Sequence, residues 1–248
     1  MRIDILSLFP DSLNGFLAQS IVRQAQKKKS LSLKIWNFRE FALDRHATVD
    51  DTPYGGGAGM VLRVEPVVAC LEAISREIGK EISSPDANII LTAADGDVYN
   101  QRLALELASL DHLVILCGHY KGFDERVSHF SHRKICVGDY VLSGGELPAL
   151  VIVDSIARLL PGVVSDFDSI NSDSHWDGLL GAPCYTRPEE FRGLKVPEVL
   201  LSGNHKAIEE FRFSEAYRRT AACRPELLEK KKLNKTQKKL LNKNGLIT

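Results

Sequence analysis

Short, nearly uninterrupted apolar runs alternate along the first two thirds of the chain with longer segments whose apolar residues recur every three to four positions. The runs Ile3–Leu8, Leu31–Trp36, Asn88–Thr92, Leu113–Cys117 and Lys134–Gly138 predict strands. The last three are nearly all apolar, as strands covered on both faces are. Between them, Ser12–Lys28, Glu65–Ile78, Asn100–Ser109, Phe123–Phe130 and Leu147–Leu160 predict helices. This alternation predicts an α/β fold built on a mostly parallel sheet. Ligands of such sheets gather beyond the carboxyl ends of the strands, which turns attention to the segments after Thr92, Cys117 and Gly138.

The pattern changes after Pro161-Gly162, which stops the last of these helices. Val163–Asp177 is rich in Ser, Asp and Asn and poor in apolar residues, the composition of a flexible linker. Beyond it Ala207–Arg218 and Glu226–Leu241 predict helices of more basic character. Three parts follow: a first domain over 1–160, a linker over 161–177 and a smaller helical C-terminal domain over 178–248. There is no internal repeat.

Composition alters this picture little. Of 248 residues, 44% are hydrophobic and 26% charged, ordinary values for a globular protein with room for one large core or two modest ones. Lys+Arg and Asp+Glu both number 32, so net charge does not point to nucleic acid. Its distribution does more: Glu226–Lys243 carries seven lysines against two glutamates, either a solvated helix face or a surface for a polyanion. The five cysteines are scattered without a Cys-x-x-Cys pair, which fits a reducing compartment and argues against disulfides and structural zinc. Charge and proline interrupt Met1–Pro10 too early for a signal peptide, and no apolar run reaches membrane-spanning length. The expectation is a soluble cytoplasmic protein without a membrane partner.

Two motifs stand where the sheet should bind its ligand. Cys136–Pro148 leads a strand through Gly138, Gly144 and Gly145 into a proline-started helix, which leaves backbone N–H and C=O groups in the open. Cys117–Arg126 ends the preceding strand at Gly118. A third glycine-rich stretch, Tyr54–Met60, lacks the Gly-Lys-Ser/Thr ending of a phosphate loop and reads equally as a turn or a binding loop. Asp154 and Arg158 stand four apart on an apolar helix, where an exposed pair would contribute only a few tenths of a kcal/mol, about 0.3–0.5. Asp173 is one linker acid among several, and spacing does not separate it from Asp166 or Asp168. His129 and His132 lack a third ligand, so no metal site is expected from the residues themselves.

Taken in order, the pieces resemble the bacterial tRNA (guanine-N1)-methyltransferases of the SPOUT class. The resemblance runs from Ile5–Pro10 through Asp44–Gly57, both cofactor motifs and Tyr185–Pro188 to Val196–His205 and Arg224–Leu228. It implies a cofactor domain tied in a deep trefoil knot, against the usual rule that chains are not knotted. It also implies S-adenosylmethionine as methyl donor, magnesium for full activity, and a homodimer with active sites at the subunit interface. The implied substrate is tRNA, methylated on N1 of the guanosine at position 37, immediately 3′ of the anticodon. By matched position, Leu91 and Thr92, then Gly118 and Tyr120, then Val137, Gly138, Asp139, Tyr140, Val141 and Leu142, with Gly144, Gly145 and Pro148, would form the cofactor pocket. His46, Asp51, Gly57 and Arg187 would meet the RNA, and the C-terminal lysines would grip its backbone. Arg158 and Asp173 match the family's catalytic arginine and aspartate.

The implied chemistry gives both roles a reason. Guanine N1 is a poor nucleophile until its proton leaves, so a base is needed, and Asp173 is the candidate. Negative charge then builds on O6, which the Arg158 guanidinium can stabilise. Two departures concern the cofactor pocket: Lys121 stands where relatives commonly have Glu, and Leu91–Gly96 lacks the family's usual proline and is one residue longer. A related SPOUT ribose methylase is disfavoured by the Asp173 and Arg158 pair. A non-catalytic RNA binder is disfavoured by the intact glycine pocket.

Overall fold

The computed structural model describes residues 1–82, 84, 87–164 and 173–247. In chain order the strands are β1 (Arg2–Ser7), β2 (Ser32–Asn37), β3 (Asp50–Asp51), β4 (Val61–Leu62), β5 (Ile89–Val98), β6 (His112–Leu116), β7 (Arg133–Cys136), β8 (Glu190–Phe191) and β9 (Leu194–Lys195). The helices are α1 (Pro10–Leu17), α2 (Ser20–Lys27), α3 (Val64–Ile78), α4 (Gln101–Ala108), α5 (Glu146–Ala157), α6 (Glu198–Leu201), α7 (His205–Cys223), α8 (Glu226–Glu229) and α9 (Lys235–Lys243). The chain divides into two compact units, Met1–Ser165 and Asp166–Thr248. Residues 165–172 of the expected linker over 161–177 lie outside the described residues.

Five parallel strands form the sheet of the first unit, in the order β2-β1-β6-β5-β7. Alternation along β1 sends Ile3 and Ile5 to one face, where Leu13, Val22, Leu103, Ile152 and Ile156 cover them. Leu6 faces the other way, toward Val67, Leu71 and Ile74 of α3. Helices therefore cover both faces, which is why the central strands carry no polar face. Each fully buried Leu or Ile in these layers contributes roughly 1.5–3 kcal/mol relative to exposure.

Three expected elements take a different form. The single helix over Ser12–Lys28 is two, because the buried positions Leu13, Leu17, Val22 and Ala25 step by five between Leu17 and Val22 and slip off one helical stripe. Ser20 takes φ 47° at the break, and the Gln26 amide donates to the freed Leu17 carbonyl at 2.8 Å. Phe123 bridges Leu62 of β4 in extended form, so only a 3₁₀ turn over Glu125–Phe130 follows, with Asp124 as its cap. The helix expected over Glu226–Leu241 divides into α8 and α9, and Asn234 with Gln237 forms a capping box at the start of α9.

β5 is longer than its apolar run. Ile135 of β7 faces both Thr92 and Asp97, so residues 93–96 leave the ladder and return to it. Gly96 permits this: a Cβ there would lie 2.5 Å from the Ile135 nitrogen. In the second unit, α7 carries the buried Thr220 and Ser214, which take hydrogen bonds from the Leu180 N–H and the Asn244 amide, at 2.9 and 2.8 Å.

Candidate cofactor cavity and second cavity

Beyond the carboxyl ends of β5, β6 and β7 lies a cavity of about 490 Å³. Its walls come from three turns. The first is the excursion of β5 from Leu91 to Asp95, tied to the next strand by the Thr92 hydroxyl, which donates to the Leu116 carbonyl at 2.9 Å. The second is Gly118–Glu125, in which Tyr120 takes φ 58° and Gly122 φ 98°. The third is Cys136–Gly145, where Gly138 takes φ 151°, a conformation that strains any other residue.

The turns touch where the glycines are. The Gly145 N–H donates to the Gly118 carbonyl at 2.7 Å, and His119 bridges Gly144. A Cβ at Gly145 would lie 2.1 Å from Thr92 Oγ1 and 2.7 Å from Cys117 Cα. One at Gly144 would lie 2.3 Å from Glu146 Oε2 and 2.7 Å from His119 Cδ2. Glu146, at the start of α5, is braced from the sheet: the buried Ser7 hydroxyl donates to it at 2.6 Å and accepts the Phe9 N–H at 2.8 Å. His119 packs against Phe9, ring centroids 4.9 Å apart, and its buried Nδ1 has no hydrogen-bond partner. The buried Cys117 thiol behind Gly145 is held well above its ordinary pKa by burial, with the Glu146 carboxylate adding to the effect.

Beside the cavity, β3 and β4 form a hairpin whose tip is the glycine-rich loop. Gly55, Gly56, Gly57 and Gly59 all have φ between 80° and 113°, and Tyr54 at the tip is fully exposed. The base of the hairpin is fixed to the Gly118 turn by the Leu62 N–H on the Gly122 carbonyl at 2.9 Å and the Asp124 N–H on the Leu62 carbonyl at 2.8 Å. His46 and Asp51 are exposed near its base, and Gly57 is exposed at its tip.

A cavity bounded by three turns, two of them rich in glycine, at one end of a parallel sheet suits several cofactors; the whole chain decides among them. Residues 1–230 match the family described as tRNA (Guanine-1)-methyltransferase TrmD. This chain belongs to that family. It is 48% identical over 242 residues to a tRNA (guanine-N(1)-)-methyltransferase of Bacillus cereus (strain AH820), covering 97% of each chain. The same figures hold for the Bacillus anthracis (strain A0248) protein of that name. The crystal structure of tRNA (m1G37) methyltransferase from Aquifex aeolicus superposes with a TM-score of 0.73 at 37% identity, covering 93% of this chain and 95% of that one. Family membership brings S-adenosylmethionine as methyl donor and tRNA as substrate.

Set against the methyltransferase family, the expected cofactor residues gather closely. Leu91, Thr92, Gly118 and Tyr120 line the one cavity, as do Val137, Gly138, Tyr140, Val141, Leu142, Gly144, Gly145 and Pro148. Asp139, in the third turn, is not among the lining residues. The cavity suits the methyl donor: it has the volume of a small-molecule site, apolar side chains from Leu91, Ile135 and Leu142, and glycines that let its turns close on one another. Sequence reasoning took Leu91–Gly96 as a cofactor loop but assigned only Leu91 and Thr92 to the pocket; Ala93–Asp95 and Lys134 also line it. The missing signal was the return of β5 after residue 96, which no apolar run announces.

The expected catalytic pair is divided between the units. Arg158 caps the C-terminus of α5, half-buried, and its N–H donates to the Asp154 carbonyl at 3.3 Å. Just past it the chain is clamped: Lys28 Nζ donates to the Gly162 and Val163 carbonyls at 2.6 and 3.1 Å. Asp173 lies in the second unit, where it and Arg187 line a cavity of about 790 Å³ with Arg212 and Phe213 of α7. One of the tail lysines is engaged within the unit. Lys231 Nζ lies 2.8 Å from Asp177 Oδ2 and donates to the Asp177 carbonyl at 2.5 Å, holding the segment that begins at Asp173. Asp166 and Asp168 lie outside the described residues. Among the described residues no cluster of His, Cys, Asp and Glu could hold a metal, and no helix is long and apolar enough to cross a membrane.

Proposed function

We propose that this methyltransferase modifies N1 of the guanosine at position 37, immediately 3′ of the anticodon of tRNA, with Asp173 as base and Arg158 as electrostatic stabiliser. The observation that carries the reading is the glycine-walled cavity in a chain that belongs to the family over nearly all its length. When bound, S-adenosylmethionine supplies a methyl group on a sulfonium. The chain's own work is to hold the donor against Gly138, Gly144 and Gly145, bring guanine N1 into line with it, and handle the N1 proton. Asp173 takes that proton, and the Arg158 guanidinium meets the charge that grows on O6. Substituting Asp173 by alanine lowers kcat by about 10²–10⁴, the range for loss of a general base, and substituting Arg158 lowers it by about 10²–10³, the range for loss of an oxyanion stabiliser, with cofactor affinity unchanged in both.

We further infer a homodimer with the active site at the subunit interface. Apolar side chains exposed beside the cavity support it: Val141 is 98% exposed, and Leu147 and Val151, one turn apart on α5, are 59% and 49% exposed. The trefoil knot is likewise part of this reading. The close passage of Gly144-Gly145 between Thr92 and the Cys117-Gly118 turn is the kind of contact a threaded chain makes. His46, Asp51 and Gly57 of the first unit meet the RNA, as do Arg187 and the C-terminal lysines of the second, and binding weakens as salt rises. The enzyme works in the cytoplasm, and magnesium raises its activity.

Incubating the protein with radiolabelled S-adenosylmethionine and two transcripts of one tRNA, bearing guanosine or adenosine at position 37, tests the target. Label on the guanosine transcript alone is expected. Label on both moves the target elsewhere and favours the ribose methylase reading, and no turnover on either favours the binder.

A further inference from the structure

We propose that Lys121 is a specificity-determining residue of the cofactor cavity, its ammonium pairing with the carboxylate at the amino-acid end of S-adenosylmethionine. The inference rests on the cavity being the cofactor site.

The charges around the cavity lead to it. The ionisable residues lining it, apart from tyrosine, cysteine and the imidazole of His119, are Asp95, Asp124, Glu125, Lys121 and Lys134. Lys134 lies 2.8 Å from Asp95 and 3.3 Å from Glu125. Asp124 takes two hydrogen bonds from the Arg126 guanidinium, at 2.8 and 2.7 Å. Each carboxylate of the wall thus has a cation beside it. Lys134 is shared between two of these carboxylates, and among the described residues Lys121 forms no ion pair, so its ammonium is the lining cation that no carboxylate of the wall engages directly.

The backbone anchors the lysine beside the glycine-rich loop. The Lys121 N–H donates to the Met60 carbonyl at 3.1 Å, and the Gly122 N–H closes the turn on the His119 carbonyl at 2.9 Å. The aliphatic stem runs along Gly59 of the glycine-rich loop. A Cβ at Gly59 would lie 3.0 Å from Lys121 Cε and 3.3 Å from Cγ. The absence of a side chain at Gly59 therefore leaves the track along which the lysine lies, and Lys121 is an exposed residue of the cavity wall. S-adenosylmethionine carries one anionic group, its carboxylate, and none on the adenosine. A phosphate of the RNA would have to reach the same wall from outside, whereas the carboxylate arrives with the occupant of the cavity.

Titration calorimetry on the full chain with S-adenosylmethionine and its decarboxylated analogue tests the assignment without recourse to turnover. Lys121→Met keeps the stem on Gly59 and removes the charge. The wild type is expected to prefer the carboxylated form, and Lys121→Met to bind it about fivefold more weakly, the size of one partly exposed ion pair. Affinity for the decarboxylated analogue stays unchanged, and Lys121→Arg restores the preference. Unchanged affinity for S-adenosylmethionine in Lys121→Met, or equal losses for both compounds, overturns the proposal. So does a variant that binds the cofactor normally while the salt dependence of tRNA binding loses about one unit of slope, which would assign the ammonium to a phosphate. If the wild type binds neither compound, the reading of the cavity itself falls.

Discussion

The two ends of the parallel sheet handle polar groups in opposite ways. Toward the amino ends of its strands, the fully buried Asp4 accepts from Nε and Nη2 of the Arg2 guanidinium, at 2.7 and 2.8 Å, from Trp36 Nε1 at 2.7 Å, and meets His112 Nε2 at 2.8 Å. Glu77 of α3 extends the cluster by joining Arg2 and Lys34. Toward the carboxyl ends the chain does the reverse. Glycines expose backbone groups and Lys121 forms no ion pair among the described residues, whereas an unpartnered buried imidazole nitrogen occurs at both ends, on His112 and on His119. A buried carboxylate with its acceptor sites occupied fixes the register of three strands. Groups left unsatisfied around a cavity are where a ligand gains most. The contrast separates residues that hold the sheet from residues that use it.

The largest expected effect breaks the first end. Asp4→Ala strands three buried or half-buried donors and lowers stability in urea by about 3–5 kcal/mol, the cost of removing one partner of a buried charge pair. The affinity of the remaining folded protein for S-adenosylmethionine stays unchanged, and a parallel loss of affinity would show that the two ends are coupled.

Gly145→Ala attacks the second end. Its Cβ meets backbone atoms that cannot yield cheaply, so about 1–3 kcal/mol of overpacking is expected. In contrast to Asp4→Ala, cofactor affinity falls with it, by tenfold or more in calorimetry. Normal affinity in this variant would mean that the three turns need not touch to form the site.

Acid sharpens the comparison. Burial alone would raise the Asp4 pKa, but hydrogen bonds from His112, Arg2 and Trp36 outweigh it and hold the carboxyl at about 2. A depressed pKa means that this stabilisation is complete above the unfolded value near 4 and is lost as pH falls through the folded value near 2. It amounts to roughly 2 kcal/mol, read as a stability decline between about pH 4 and pH 2 that Asp4→Ala lacks.

The smallest effect belongs to the exposed Lys134 network. Lys134→Met changes stability by less than about 1 kcal/mol, since exposed pairs contribute little. A larger change would show that the network stiffens the β5 excursion.

Much of the sheet was legible because β1, β5 and β6 are buried on both faces and carry apolar runs that few other elements tolerate. The glycine turns were legible for the same kind of reason: Gly138 needs a φ, and Gly145 a closeness, that other residues resist. Features set by the partner of a residue were not legible. Nothing in the order Ala93-Ala94-Asp95-Gly96 announces a strand that returns to its own ladder, because the reason lies in Ile135. The break after Leu17 was present in the spacing of Val22 and Ala25 but weaker than the run of helix formers around it. The function of Asp173 depended on family resemblance throughout, since its neighbours Asp166 and Asp168 are chemically the same. Even the lysine tail read too simply, for Lys231 is engaged by Asp177.

The most direct test of the account is to digest tRNA methylated by the wild type and by Asp173→Asn to nucleosides and identify the methylated species. The account predicts 1-methylguanosine from the wild type and a loss of about 10²-fold or more in Asp173→Asn, with cofactor binding intact. A methyl group on ribose or on another guanine atom, or undiminished 1-methylguanosine from Asp173→Asn, would contradict it.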